Sequence, residues 1–81
     1  MQVVHRLVGY DRDTDRAAIQ FDVPDELLSE AKRIARVPDD DPDAAWSYPL
    51  ANDQAGALAV LIGARLDAGN AEFFLEAFAA A

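Results

Sequence analysis

From Ala55 to Ala64 the chain runs for ten residues without a charged or hydrogen-bonding side chain. At helical spacing Ala55, Leu58, Ala59, Ile62 and Leu66 form one apolar stripe. Ala57, Val60, Leu61 and Ala64 form a second stripe on the opposite side. A helix that is apolar all round has to be buried all round. Gly56 and Gly63 add positions where another backbone can approach closely. The chain has 81 residues, and a domain of this size buries only about 60% of its unfolded surface. Two solutions are open. Either the C-terminal segment folds over the second stripe with Phe73, Phe74 and Phe78, helped by Trp46 and Tyr48, or a second chain covers it.

The remaining elements follow from periodicity. Val3 to Tyr10 reads as a strand, although Val3/Leu7 and Val4/Val8/Tyr10 compete for the inward face. In Ala17 to Val23 the inward face is clear: Ala17, Ile19, Phe21 and Val23 alternate with Ala18, Gln20 and Asp22. The polar stretch Asp11–Arg16 between them makes a β-hairpin. Pro24-Asp25-Glu26 opens a helix whose stripe is Leu27, Leu28, Ala31, Ile34 and Ala35, and Val37-Pro38 ends it. An acidic turn at 39–43 leads to Trp46 and Tyr48. Asn52 or Asp53 then caps a second helix, with Leu50 as its staple. This helix is expected to run to Asp67 or Ala68, with Gly69 as its C-terminal cap. Asn70 is expected to cap a last short helix carrying Phe73, Phe74, Leu75, Ala77 and Phe78. The predicted fold is α+β: an N-terminal antiparallel β-hairpin packed on three helices (ββααα), forming one domain over residues 1–81.

Composition narrows the function classes. There is no cysteine, which removes disulfides, thiolate metal sites and cysteine nucleophiles. The net charge of −8, with seven scattered cations, disfavours nucleic acid and anionic membranes. A GC-rich or salt-adapted genome also accounts for such acidity. No run is long enough to cross a bilayer, and the N-terminus lacks the pattern of a signal peptide, so a cytoplasmic address is expected. The lone His5 permits no two-histidine metal site, and neither serine lies in a nucleophile-elbow sequence. No phosphate-binding glycine loop is present. The expectation is a domain that is not an enzyme and takes no cofactor. Asp11, Asp13 and Asp15, followed by Asp22, have the spacing of a calcium loop. Arg16 stands where that loop needs glycine, however, and the flanks read as strands, so a charged turn is the stronger reading.

A protein partner is the better expectation. Trp46 and Tyr48 beside Asp39, Asp40 and Asp41 combine aromatic anchors with charge. Ala57, Val60, Leu61 and Ala64 are the second candidate surface. A two-stranded sheet is marginal alone, so the first strand is a candidate edge for pairing with another copy in a homodimer. The pattern of Tyr10-Asp11, Phe21-Asp22-Val23-Pro24, a helix, Tyr48-Pro49-Leu50 and a Gln54-bearing helix resembles small bacterial domains of unknown function. Some of these look like immunity proteins from toxin–antitoxin or contact-inhibition loci. The resemblance implies binding to a protein and transfers no catalytic residue.

Overall fold

The computed structural model describes residues 2–66 and 69–80. Strand β1 (Gln2–Asp11) turns into β2 (Ala17–Val23). A single 3-10 turn leads into helix α1 (Leu28–Ala35). A short strand β3 (Tyr48–Leu50), helix α2 (Asn52–Ile62) and strand β4 (Ala71–Ala80) complete the chain. The four strands form one antiparallel sheet in the order β2-β1-β4-β3. Both helices pack on one face. The core joins Leu7, Val23, Phe73, Leu75 and Leu50 from the sheet to Ala31, Ala35, Ala55, Leu58 and Ala59 from the helices.

This corrects the expectation of a hairpin on three helices. The segment expected to form the third helix is β4, paired with β1 over ten residues from Gln2↔Ala80 to Asp11↔Ala71. Its pattern fits a strand once both faces are considered. Phe73 and Leu75 enter the core, while Phe74, Glu76 and Phe78 lie on the other face. Asn70, expected as a helix cap, instead accepts the Arg12 backbone N–H at 2.9 Å beside the hairpin turn. The first strand is not an edge either: it sits between β2 and β4.

The central position of β1 explains its two apolar faces. Leu7 and Gly9 face the helices, opposite Leu75 and Phe73. Val8 faces away from them and is still only 1% exposed. That outer face is covered by its own side chains. The rings of Tyr10 and Phe74 meet edge to face at 5.6 Å, and the Arg6 guanidinium lies 5.0 Å over the Phe78 ring. Arg6 also pairs with Asp22 at 3.0 Å.

The helix boundaries differ from expectation for local reasons. Helix α2 starts after Ala51, whose N–H donates to the Gln54 side chain at 2.8 Å. The same Gln54 side chain donates to the Ile34 carbonyl at 2.9 Å, tying the two helices together. Helix α2 ends at Gly63, whose φ of +72° is the left-handed conformation that glycine adopts freely. It therefore stops well short of Gly69. The expected end at Asp67 or Ala68 lies outside the described residues.

Gly9 is required by packing rather than by backbone angle. A Cβ there would sit 2.9 Å from Cε1 of the buried Phe73 ring. Gly9→Ala is therefore expected to cost about 1–3 kcal/mol of stability, the usual penalty for overfilling a packed core. Chemical denaturation measures this directly, and an unchanged midpoint would show that the ring has room to move.

Candidate functional site

The chain between α1 and β3 has no regular structure, yet side chains from four elements hold it. Arg36 ends α1 in the left-handed conformation, and Val37 donates back to the Lys32 carbonyl at 3.0 Å. Two turns follow: the Asp41 N–H bonds the Pro38 carbonyl at 3.0 Å, and the Ala44 N–H bonds the Asp41 carbonyl at 3.1 Å. The Asp41 side chain is buried at the centre. It accepts the Ala45 N–H at 3.0 Å, the Trp46 N–H at 3.4 Å, and the hydroxyl of Tyr48 from β3. A buried carboxylate is tolerable only when bonded in this way. Lys32 of α1 donates to the Pro42 carbonyl.

The third anchor comes from the middle of the sheet. His5 of β1 is 5% exposed, and its Nε2 lies 3.0 Å from the Asp43 carbonyl and 3.2 Å from that of Ala44. Both neighbours only accept, so Nε2 carries the proton. Nδ1 is buried without a partner among the described residues. Ala44 is itself buried and held at a φ of +48°. On the outer face Glu76 accepts the Ser47 hydroxyl at 2.7 Å and the Tyr10 hydroxyl at 2.6 Å, fixing the entry to β3.

On this frame Trp46 stands 71% exposed. Asp39, Asp40 and Asp43 are exposed on the same loop, and the charge of Asp40 is felt at the Tyr48 hydroxyl. The structure thus brings together Asp39, Asp40, Asp41, Trp46 and Tyr48. Two of them differ from a freely solvated loop: Asp41 is an internal acceptor, and half-buried Tyr48 is its donor. The α2 candidates divide. Val60 is 82% exposed and Ala57 is exposed, whereas Leu61 and Ala64 are partly buried against the core. The C-terminal segment does not cover this stripe, because β4 belongs to the sheet.

The Asp11 carboxylate accepts the N–H groups of Asp13 at 2.8 Å and Thr14 at 3.2 Å, which closes the hairpin turn. Among the described residues no three of His, Asp and Glu are grouped to hold a metal ion. Sequence reasoning considers His5 only as a metal ligand and misses its hold on the loop. The available signal was its place on the Leu7 side of β1. Lys32, Ser47 and Glu76 left no local trace.

A family model for DUF7683, a domain of unknown function, matches residues 5–76. The chain belongs to this family. The DUF7683 match runs from the histidine that pins the loop to the glutamate that holds Ser47. No curated protein and no solved structure matches the chain. Among the described residues, no helix of this DUF7683 domain is long and apolar enough to cross a membrane.

The loop's polar bonds give it a defined pH range. The Tyr48 hydroxyl, then the Ala45 N–H, hold the Asp41 carboxyl below its ordinary range, and burial opposes them. The bond to Asp41, then burial and the charges of Asp41 and Asp40, push Tyr48 up to about 12. A carboxyl lowered in the fold stabilises above its unfolded value of 3.8, and that stability is lost as pH falls through the lowered value. A phenol raised in the fold stabilises below 10.0, and that stability is lost as pH rises toward about 12. Trp46 fluorescence is expected to report loop opening between those alkaline limits. Tyr48→Phe is expected to remove most of that change, leaving the part due to Tyr10, which Glu76 also raises. An alkaline transition identical in Tyr48→Phe would place its origin elsewhere.

Proposed function

We propose that this domain works by protein–protein contact and docks through the loop Asp39–Trp46. One observation carries the reading: a 71%-exposed tryptophan stands on a loop with its backbone fixed from β1, α1 and β3. Fixing a loop in advance removes ordering entropy from the binding step, and tryptophan is among the residues enriched as interface anchors. The exposed carboxylates of Asp39, Asp40 and Asp43 favour a basic partner and speed its approach. An immunity-type protein capturing a basic toxin would use such a surface in this way. A binding role rather than a catalytic one is supported by His5, which is buried with Nε2 engaged by two carbonyls.

The test is to capture the partner from the native cell, identify it, and measure its affinity for purified variants. Trp46→Ala is expected to weaken binding about 30-fold or more with little change in thermal stability. Affinity is expected to fall as salt rises. Equal binding by wild type and Trp46→Ala would remove the loop from the interface.

A further inference from the structure

The two edges of the sheet differ. The β3 edge is three residues long, and Pro49 at its centre has no N–H to offer. The β2 edge is seven residues long and carries one charge, Asp22. Its regular part is bounded. The register passes from Gly9↔Ile19 to Tyr10↔Ala17, so Ala18 is an extra residue that bulges the strand. Pro24 ends it on the other side. Ile19, Gln20, Phe21, Asp22 and Val23 remain as an uninterrupted stretch with one free edge. We propose that this edge pairs with the same edge of a second copy, antiparallel about a two-fold axis at Phe21.

The residues of this stretch are complementary to themselves. A two-fold axis perpendicular to the sheet keeps both helix layers on the same side, so only residues of the same face come opposite one another. Centring on Phe21 is the register that uses the whole stretch. On the helix face it sets Phe21 against Phe21 and Ile19 against Val23. Phe21 and Ile19 are only partly buried in one chain, and the second copy covers them. On the outer face it sets Gln20 against Asp22 at two symmetric positions, and both side chains are exposed. Arg6 engages Oδ1 of Asp22, so Oδ2 is available to accept the Gln20 amide. No two like charges face each other. Because Pro49 closes the far edge, the association ends at an eight-stranded sheet of two chains instead of growing into a fibre. The pairing stretch Ile19–Val23 shares no residue with the Asp39–Trp46 loop.

Sedimentation equilibrium of the full chain, from micromolar to millimolar concentration, tests this. A monomer–dimer equilibrium is expected, strengthened by salt because each copy carries a net charge of −8. Gln20→Asp places two carboxylate pairs face to face and is expected to raise the dimer Kd about ten-fold. Adding Asp22→Gln to that variant restores amide-to-carboxylate pairing and is expected to return most of the affinity. In the wild-type chain, amide exchange across Ile19–Val23 is expected to slow as concentration rises. A chain that stays monomeric at millimolar concentration, a dimer indifferent to Gln20→Asp, or growth beyond two copies would overturn the proposal.

Discussion

The ladder between β1 and β4 is the constraint on which the rest of the fold depends. It joins the two ends of the described chain over ten residue pairs and places β1 at the centre of the sheet. A central strand has both edges satisfied, and each of its faces needs cover. The helices supply one cover through Ala31, Ala35, Ala55, Leu58 and Ala59. Among the described residues the other cover comes from the strands themselves: Tyr10 on Phe74 and Arg6 over Phe78. The polar groups of that face bond to one another rather than to a partner layer. Asp22 holds Arg6, and Glu76 holds Tyr10 and Ser47.

What the sequence made legible follows from how local each signal was. The β-hairpin, α1 and the buried stripe Ala55, Leu58 and Ala59 are local patterns, and all are found. Strand β4 was misread because Phe73, Phe74, Ala77 and Phe78 satisfy helical spacing as well as alternation, and a short apolar run does not separate the two. The deciding signal lay elsewhere in the chain. Strand β1 is apolar on both faces, as a central strand is, and a hairpin supplies it with only one neighbour. The competition between Val3/Leu7 and Val4/Val8/Tyr10 for the core was therefore the trace of a missing strand. At the site, Trp46 and the aspartates were visible as composition. The organising bonds were not, because His5 lies 38 residues from the carbonyl it holds.

The acidic residues divide into two kinds that composition merges. Asp11 and Asp41 are structural acceptors, each ordering a stretch of backbone that has no ladder or helix to bond to. Asp39, Asp40 and Asp43 are exposed. The buried acceptor fixes the backbone that carries the exposed ones, and in the proposed docking role this lowers the entropy lost on binding. Net charge alone does not distinguish a solvated surface from a recognition surface. What sets this loop apart is that one carboxylate of the group, Asp41, is turned inward.

Helix α2 shows where the argument from an all-round apolar helix gives way. Its outward stripe is only partly covered by the other described residues, yet the fold tolerates it because the exposed residues there are mostly small. Gly56 and Ala57 present little apolar area, so the exposed strip reduces mainly to Val60. A single exposed aliphatic side chain is ordinary on a protein surface. Leu61, Ile62, Ala64 and Leu66 pack against the margin of the core instead. The requirement for burial scales with area and not with the count of apolar letters. Alanine and glycine therefore allow a helix without a polar face to remain half in solvent, and the two proposed contacts rest instead on the exposed ring of Trp46 and the open edge of β2.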